Sequence, residues 1–175
     1  MIRFKDVDAW EILDSRGRPT VATTLRLDDD TTATVSVPSG ASTGRAEAKE
    51  LRDGRKPFRG LGCQQAIANI CGPIAAALLK ESFESQEQLD SRLLELDGTS
   101  DKSRLGANAI LAVSLAFARA AATRQNVELF EYFASLLAAA LPRLPELTIN
   151  LFSGGKHSVG QVAIQDVLVL PTSGT

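Results

Sequence analysis

The spacing of apolar residues changes once along this chain, and that change limits the folds it can adopt. Residues 2–37 alternate apolar and polar side chains in three segments separated by clusters of turn formers, which predicts three short strands in an antiparallel meander. From about residue 62 the apolar residues recur every three or four positions instead, which predicts helices. Strands followed by helices favour an α+β fold.

Four helices are expected in the second part of this domain. Pro73 lies inside the first of them and is expected to kink or divide it. The second begins with a capping box, Ser85-x-x-Gln88, and ends at Asp97-Gly98. The helical segments, in order, are Cys63–Lys80, 85–97, Leu105–Arg124 and Leu129–Leu137.

Past residue 140 the pattern becomes strand-like again, in two apolar runs at Leu147–Phe152 and Val162–Leu170. Both runs have the composition of buried strands, but the sequence contains no further segments to cover them. Either they pair with the first domain, or the chain is the front part of a longer one. We therefore predict an α+β domain over residues 1–140, and a linker with two strands of another unit over residues 141–175.

Composition and charge exclude several classes of function. The 19 Lys and Arg residues against 21 Asp and Glu give a formal net charge of −2, so there is no basic surface for nucleic acid or anionic lipid. The most apolar stretch, Leu105–Ala118, is about 14 residues long, whereas a membrane-spanning helix needs about 20. The N-terminus lacks the apolar segment of a secretory signal.

The two cysteines, Cys63 and Cys71, are predicted to be free thiols. They lie eight positions apart on one predicted helix, which places their Cα atoms about 12 Å apart. A disulfide needs Cα atoms within about 7 Å. With a single histidine and no Cys-x-x-Cys pair, a zinc site is not expected either. A reducing, cytoplasmic setting fits these features.

The loop Ser39-Gly40-Ala41-Ser42-Thr43-Gly44 follows the strands and has no bulky side chain. Its glycines permit close backbone approach, and Ser42 or Thr43 could offer an oxygen to a hard cation such as Mg²⁺. This composition is typical of a loop that closes over an active site. A plain connector between a strand and a helix has the same composition, so the residues alone leave both interpretations open.

Other polar positions divide into candidate site residues and structural ones. His157, the only histidine, lies on a Gly-rich loop after an apolar run, where sites are often built, with a solvated loop histidine as the alternative. Gln165-Asp166 interrupts an apolar run, and a carboxylate there needs a partner or a functional role. Residues 28–30 are predicted to form a solvated acidic turn rather than a metal cluster, and residues 47–53 an exposed charged face.

Several motifs, in this order, resemble the N-terminal domain of the enolase family, the phosphopyruvate hydratases of glycolysis. The resemblance covers essentially the whole chain, and its most specific parts are the loop at residues 39–44 and the run that begins at Leu105. The motifs are Ile12-Leu13-Asp14-Ser15-Arg16-Gly17, Ser36-Val37-Pro38-Ser39-Gly40-Ala41-Ser42-Thr43-Gly44, Leu96-Asp97-Gly98-Thr99 with Lys102-Ser103, and Leu105-Gly106-Ala107-Asn108-Ala109-Ile110-Leu111-Ala112-Val113-Ser114-Leu115-Ala116.

The resemblance implies both a fold and a reaction. The fold would be a small α+β domain, with a three-stranded meander and a helical bundle, leading into a large β/α barrel that begins within residues 141–175. The reaction would be the reversible dehydration of 2-phosphoglycerate to phosphoenolpyruvate, in which a lysine removes a proton and two Mg²⁺ stabilise the resulting dianion. The family is usually dimeric or octameric, which implies a homo-oligomer.

The resemblance also implies roles for individual residues. Ser42 matches the loop serine that is a ligand of the second Mg²⁺, and Ala41 beside it would contribute to substrate binding. His157 matches the histidine of a loop that closes over the substrate. Gln165 and Asp166 match a Gln-Glu pair near the leaving hydroxyl, so Asp166 and His157 are the implied catalytic residues. The catalytic lysine, the carboxylates of the first Mg²⁺ and the phosphate-binding residues belong to later barrel strands that are not in these 175 residues.

Four departures from the family pattern keep the function open. Asp166 replaces a Glu, Ser153 replaces the Asn of an Asn-Gly-Gly segment, Arg45-Ala46-Glu47 replaces a segment with His-Glu, and Asp101 replaces an Asn. Three hypotheses follow. The chain is the front part of an enolase proper, or of a relative that acts on a phosphonate analogue, similar to carboxyphosphonoenolpyruvate synthase, or it is a non-catalytic fragment that serves as an interaction module.

Overall fold

The chain forms two compact units, Met1–Ala138 and Ala139–Thr175. The structure is a computed structural model, and it describes residues 1–40, 44–54, 56–137, 144–155 and 162–171. The regular elements, in chain order, are β1 (Ile2–Leu13), β2 (Pro19–Leu27), β3 (Thr32–Ser36), a 3₁₀ turn (Pro57–Gly60), α1 (Gln64–Asn69), a π-helical turn (Ile70–Ile74), α2 (Ala75–Leu78), β4 (Ser82–Phe83), α3 (Gln86–Asp97), α4 (Ala107–Gln125), α5 (Leu129–Ser135), β5 (Ile149–Ser153) and β6 (Asp166–Val169).

The strands of the first unit form an antiparallel sheet in the order β3-β2-β1-β4. β1 pairs with β2 so that Ile12 lies opposite Thr20, and a bulge between Phe4 and Asp6 shifts the register near the start of β1. β2 then pairs with β3. The predicted three-stranded meander and the α+β fold are confirmed.

β4 is a strand that the sequence pattern does not predict. Its two residues, Ser82 and Phe83, pair with Arg3 and Ile2 at the free edge of β1. Two residues are too few to show a period of two, so no strand signal exists there. The Phe83 side chain is buried in the core, which explains why this short segment lies against the sheet.

The core of the first unit lies between the sheet and α4. β2 contributes Val21, Leu25 and Leu27, which are completely buried, and burying each such side chain contributes roughly 1.5–3 kcal/mol. α4 meets these residues with a face of small side chains, so its backbone lies close to the strands. The buried alanines of α4 are Ala109, Ala112, Ala116, Ala118, Ala120, Ala121 and Ala122.

Three phenylalanines from three elements pack together within this core. The ring centroids of Phe4 (β1), Phe83 (β4) and Phe117 (α4) lie 5.6, 5.8 and 6.4 Å apart, and two of the three pairs are edge-to-face. Such aromatic pairs contribute about 0.5–1.5 kcal/mol each beyond the area they bury. The cluster joins the edge strand β4 to both the sheet and α4.

The helix signals in the sequence correspond closely to the observed ends of α3. Ser85 is the N-cap, and its hydroxyl accepts a hydrogen bond from the Gln88 N–H at 3.2 Å. The Gln88 side chain accepts from the N–H of Glu84 at 2.8 Å, one residue before the cap, rather than from the cap itself. Gly98 follows α3 with a φ of +69°, the left-handed conformation that glycine adopts without strain.

The predicted division at Pro73 takes the form of the π-helical turn between α1 and α2. Proline lacks the N–H of a helix interior, and its ring collides with the carbonyl four residues earlier in a regular α-helix. A single π turn, with its wider hydrogen-bond spacing, accommodates the ring while the chain stays helical on both sides.

Both cysteines are free thiols, as predicted. Cys63 is buried, and burial raises the pKa of its thiol to about 11 although the nearby Arg52 opposes this shift. The thiolate is the reactive form of cysteine, so burial disfavours the reactive form of Cys63 at neutral pH. Cys71 lies exposed on the π-helical turn.

The Leu96-Asp97-Gly98-Thr99 motif forms the turn that follows α3. Asp97 is 1% exposed, and its carboxylate accepts hydrogen bonds from the Thr99 hydroxyl, from the Thr99 N–H at 3.0 Å and from the Leu105 N–H at 2.7 Å. Burial raises the pKa of Asp97, but the hydrogen bonds together outweigh burial and hold the pKa below its ordinary value. This motif therefore fixes the path of the chain from α3 to α4.

The second unit contains the antiparallel strand pair β5 and β6, with Ile149 opposite Val169. Apolar side chains on both strands are exposed, among them Leu151 and Leu168. That these strands begin a β/α barrel stays a prediction. Within the described ranges, no helix combines the length and the apolar character that crossing a lipid bilayer requires.

Thr23 provides a test of the core. Its hydroxyl is completely buried on β2 and has no hydrogen-bond partner, so we expect Thr23→Val to raise the free energy of unfolding by about 1 kcal/mol. The control is Thr20→Val on the same strand, whose buried hydroxyl donates to the Val37 carbonyl at 2.7 Å and whose loss is expected to destabilise by a similar amount. The free energies of unfolding of both variants are measured by urea denaturation. A lower free energy of unfolding for Thr23→Val would contradict the assignment of the Thr23 hydroxyl as buried without a hydrogen-bond partner.

Asp97 provides a pH-dependent test. The pKa of Asp97 is lower in the folded state than in the unfolded state, where it is about 3.9. The contribution of its carboxylate to the free energy of unfolding is therefore fully present above about pH 3.9 and is lost as the pH falls through the folded-state pKa. Asp97→Asn places an amide among N–H donors and is expected to cost roughly 1–3 kcal/mol at pH 7.

The difference in unfolding free energy between wild type and Asp97→Asn should shrink below about pH 4. Glu87→Gln, at an exposed carboxylate on the same helix, serves as the control and should change stability by less than about 0.5 kcal/mol. A difference for Asp97→Asn that is the same at pH 7 and pH 3 would contradict the ionised, hydrogen-bonded carboxylate.

Candidate active site

The candidate site centres on the loop at residues 39–44, whose two ends the structure describes. Ala41 and Ser42, the predicted substrate and metal contacts, lie outside the described residues, as does His157. The described residues include Ser39, at the start of the loop, and Gly44, at its end.

The first anchor of the loop is the Asp14-Ser15-Arg16-Gly17 turn between β1 and β2. The Asp14 carboxylate accepts the N–H groups of Arg16 at 2.8 Å and Arg18 at 2.9 Å, and Gly17 supplies a φ of +68°. The bond from the Arg18 N–H is the main reason that the pKa of Asp14 lies below its ordinary value. The turn directs the Arg16 guanidinium to the carbonyl of Ser39, so this motif holds the start of the loop.

The second anchor is the Arg52 guanidinium, which joins both ends of the loop. One of its terminal nitrogens donates to the Ser39 hydroxyl and to the Glu50 carboxylate, the latter at 2.6 Å. The Ser39 hydroxyl itself donates to the same Glu50 oxygen at 2.5 Å. Ser39 begins the loop and Glu50 follows it, so this cluster of three side chains ties the start of the loop to the segment after its end.

The third anchor is Asn108 in the first turn of α4. Its side-chain carbonyl accepts from the Leu51 N–H at 3.2 Å, and its amide donates to the Leu51 carbonyl at 3.0 Å. Gly106, just before α4, has a φ of +98°, and a Cβ there would lie 2.7 Å from the Asn108 oxygen and 2.8 Å from the Leu51 side chain. A glycine at position 106 therefore permits this close approach of Asn108 to Leu51.

Backbone hydrogen bonds extend the third anchor to Lys49. The Lys49 N–H donates to the Asp101 carbonyl at 2.6 Å, and the Lys49 carbonyl accepts from the Ala107 N–H at 2.9 Å. The Asp101 side chain takes no part in this contact, since its carboxylate accepts from the Ser103 N–H at 3.2 Å. An Asn at position 101, the family residue, has an oxygen at the same place. This departure from the family pattern leaves the anchor unchanged.

A cavity of about 830 Å³ lies beside these anchors, within the range of about 300–1,000 Å³ that ligand pockets occupy. Its charged lining consists of three cations and three anions, so its net charge is close to zero. The charged side chains that line it are Arg18, Lys49, Arg52, Glu47, Glu50 and Asp101. Glu47 lies at the end of the loop, where it accepts the Gly44 N–H at 2.7 Å. The anchored loop ends therefore border a polar cavity.

The acidic turn after β2 has cationic partners. Asp28 and Asp29 form ion pairs with Arg124 at 2.9 and 3.2 Å, and Asp30 pairs with Lys5 at 2.6 Å. These contacts fit the predicted solvated turn. In the part of the chain that the structure describes, no group of three or more His, Cys, Asp or Glu side chains is arranged to hold a metal ion.

The prediction of an exposed charged face at residues 47–53 is wrong for the second half of that segment. Glu50 and Arg52 are half-buried in the cluster described above. Asp53 accepts two backbone N–H groups at the start of α1, both at 3.0 Å, and so caps that helix. The partners of these side chains lie nine or more positions away, apart from the Glu50–Arg52 contact itself. Local charge pattern holds no signal for such distant contacts.

In the second unit, the structure brings Asp166 together with Ser153. Asp166 begins β6 opposite Ser153 at the end of β5, and the Ser153 hydroxyl donates to the Asp166 carboxylate at 2.6 Å. The Asn150 amide donates to the Ser153 hydroxyl at 2.7 Å and to the same carboxylate at 3.3 Å. Gln165 has an exposed side chain, and its carbonyl accepts the Gly154 N–H at 2.6 Å. Two departures from the family pattern are thus direct neighbours.

Gly154 makes this arrangement possible. A Cβ on Gly154 would lie 2.0 Å from the carbonyl oxygen of Ile164, which no side chain tolerates. Gly155 follows with a φ of +59° and donates its N–H to the Val162 carbonyl at 2.8 Å. The two glycines let the chain after β5 lie directly against the segment before β6.

Comparison with known proteins agrees with this architecture. The family model for the enolase N-terminal domain matches residues 4–133. Enolase 1 of Chlorobaculum tepidum is 45% identical over 171 residues, which cover 97% of this chain and 39% of that protein. Enolase of Mycobacteroides abscessus is 48% identical over 168 residues, 96% of this chain and 38% of that protein.

Enolase 2 of Lactococcus lactis is 45% identical over 170 residues, which cover 97% of this chain and 39% of that protein. The chain therefore spans about two-fifths of the length of these curated relatives. The match of the family model covers all three anchors of the loop and the sheet and helices of the first unit, apart from two residues at the start of β1 and two at the end of α5. Its extent, together with these identities, shows that the chain belongs to the enolase family and contains the enolase N-terminal domain.

Proposed function

We propose that this chain is the N-terminal part of an enolase, a lyase that reversibly dehydrates 2-phosphoglycerate to phosphoenolpyruvate in glycolysis. The observation that carries the proposal is the extent of the similarity, since an enolase matches 97% of the chain at 45% identity. The activity would belong to the full-length protein, in which a barrel domain supplies the proton-abstracting lysine and most of the metal ligands.

The proposed cofactor is Mg²⁺, which would neutralise the negative charge that develops on the substrate as its proton leaves. The donor chemistry fits this choice. Ser42 offers a hydroxyl oxygen, and oxygen atoms are the ligands that a hard cation prefers. A single hydroxyl does not hold a divalent cation, so carboxylates from the barrel would complete the site.

The roles proposed for the chain's own residues are binding and orientation. Ser42 would hold the metal through the loop that Ser39 anchors, and Ala41 would contact the substrate. His157 and Gln165 would bind the substrate from the second unit. The Asp166 carboxylate would act on the leaving hydroxyl. Its hydrogen bond from Ser153, at 2.6 Å, supports this role because it fixes the orientation of the carboxylate.

One observation favours a second candidate, a relative that acts on a phosphonate analogue of 2-phosphoglycerate. The two departures from the family pattern in the second unit, Ser153 and Asp166, are hydrogen-bonded to each other. Asp is one methylene shorter than Glu, so its carboxylate is withdrawn by roughly 1 Å, and a shift of that size in a catalytic group can cost on the order of 10²-fold in rate. Paired changes of this kind would suit a substrate whose leaving group lies elsewhere.

We further propose that the full-length protein is cytoplasmic and forms a homodimer or octamer. Two free cysteines suit a reducing compartment. The net charge of −2 gives no basic surface for nucleic acid or anionic lipid, which supports a small phosphorylated molecule as the binding partner.

The first prediction concerns where the activity resides. The full-length protein is expected to form phosphoenolpyruvate with excess Mg²⁺, at a turnover on the order of 10 s⁻¹, and to lose this activity in EDTA. The 175-residue chain alone is expected to be inactive, because the lysine and the main metal ligands are missing. The assay follows the ultraviolet absorbance of the enol product. Full turnover by the chain alone would contradict this, and an inactive full-length protein would favour the interaction-module hypothesis.

The second prediction separates the two enzymatic candidates. In an enolase proper, Asp166→Glu in the full-length protein should raise activity on 2-phosphoglycerate, and Asp166→Glu with Ser153→Asn should raise it further. Arg92→Lys, at a partly exposed arginine paired with Glu81 and Glu95, is the control and should leave the rate unchanged. Lower activity of Asp166→Glu on 2-phosphoglycerate, with turnover of the phosphonate analogue by wild type, would favour the relative with the altered substrate.

A further inference from the structure

Arg52 contacts four separate segments of the chain. Besides Ser39 and Glu50, its guanidinium donates to the carbonyl of Pro19 at 2.7 Å, to the carbonyl of Leu61 at 2.6 Å and to the Cys63 sulfur at 3.0 Å. Pro19 begins β2 and Leu61 precedes α1, whereas Ser39 begins the loop at residues 39–44 and Glu50 follows it. One side chain therefore connects the loop ends to the sheet and to the start of the helices.

We propose that Arg52 is a positioning residue that sets the separation and relative orientation of the two ends of the loop that carries Ser42. This inference rests on the proposed function only in assigning a metal-binding role to that loop. The cross-link itself is formed entirely by described residues.

The arrangement requires a guanidinium. Arg52 directs one terminal nitrogen at two carbonyls and a sulfur, and the other at a hydroxyl and a carboxylate. A planar guanidinium has five donors in fixed directions, whereas the ammonium of a lysine is a single point with three donors. Lysine preserves the charge beside Glu50 but does not reach acceptors on both sides. The conservative variant therefore tests geometry separately from charge.

Partial burial increases the consequence of losing the cross-link. The Arg52 side chain is 20% exposed and that of Glu50 is 32% exposed. Water can therefore replace few of the hydrogen bonds that are lost when the cross-link is removed. Ser39 is held at two points, its carbonyl by Arg16 and its hydroxyl by Arg52. Without Arg52 the hydroxyl keeps only Glu50, and Glu50 loses its cationic partner. The start of the loop then keeps the Arg16 contact but loses its tie to the segment that follows.

Some residues orient a metal ligand by contacting the ligand or its neighbours, without contacting the metal themselves. Their replacement typically costs 10- to 100-fold in metal affinity or activity. Because Arg52 contacts Ser39, three positions before Ser42, rather than Ser42 itself, we expect Arg52→Lys in the full-length protein to raise the Mg²⁺ concentration for half-maximal dehydration of 2-phosphoglycerate by up to roughly 10-fold, the lower end of that range. The effect on turnover at saturating Mg²⁺ should be smaller, because the catalytic groups themselves are unchanged.

The matched control is Arg92→Lys. Arg92 is also a partly exposed arginine held by carboxylates, with Glu81 at 2.9 Å and Glu95 at 3.5 Å, and its side chain is 34% exposed. It contacts neither end of the loop. The control reports the effect of the same chemical change on overall stability, and its Mg²⁺ dependence should equal that of wild type.

A measurement that does not depend on activity accompanies the Mg²⁺ titration. Amide hydrogen exchange of the ligand-free full-length proteins should show faster exchange in Arg52→Lys for peptides that cover residues 36–53, with the core peptides of α4 unchanged. Arg92→Lys should show wild-type exchange over residues 36–53.

Each of the other possible results would contradict either the role inferred for Arg52 or the proposed function. Unchanged exchange over residues 36–53 in Arg52→Lys would show that the cross-link does not hold the loop ends. Faster exchange throughout the unit would show a global loss of stability instead. Faster exchange over 36–53 with an unchanged Mg²⁺ requirement would show that the cross-link does not serve metal binding. Inactive wild-type protein would contradict the proposed function, and the ligand-free exchange would still decide the role of Arg52.

Discussion

The close contact of α4 with the sheet is the constraint on which the rest of the first unit depends. It exists because the buried face of α4 consists mainly of alanines, which let the helix backbone approach β2 and β3. The large side chains that fill the interface come from β2 and from three phenylalanines, of which Phe4 and Phe83 are on strands and Phe117 is on α4 itself. Larger residues on the α4 face would push the helix outward and move everything attached to its ends.

The N-terminal end of α4 is attached to the segment that follows the candidate active-site loop. Asn108 binds both backbone groups of Leu51, and Ala107 binds Lys49. These hydrogen bonds fix the segment that follows the loop relative to α4, and therefore relative to the sheet. Fold stability and site geometry are coupled at this point, because the residues that hold the loop also begin the central helix. The family motif around Asn108 reflects this coupling rather than a direct role in chemistry.

The parts of this fold that could be predicted from the sequence are those encoded by local signals. The meander, the Ser85 cap, the Gly98 end of α3 and the break at Pro73 each follow from residues within a few positions. The parts that could not be predicted depend on distant partners. β4 has too few residues to show a period, and the role of Arg52 depends on acceptors in three segments that only the tertiary structure brings to it. In the candidate site, the contact of Asp166 with Ser153 is likewise a matter of strand register, which no motif displays.

The backbone contact between Asp101 and Lys49 bears on how differences from relatives are weighed. The Asp101 carbonyl contacts the Lys49 N–H whatever the side chain is, so an exchange of Asp for Asn leaves that backbone contact in place. The Asp101 carboxylate accepts from the Ser103 N–H, and the side-chain oxygen of an Asn can accept the same hydrogen bond. Positions 153 and 166 touch through their side chains, so a change at one alters the surroundings of the other. Selection for a different substrate is therefore expected to change both residues of such a pair.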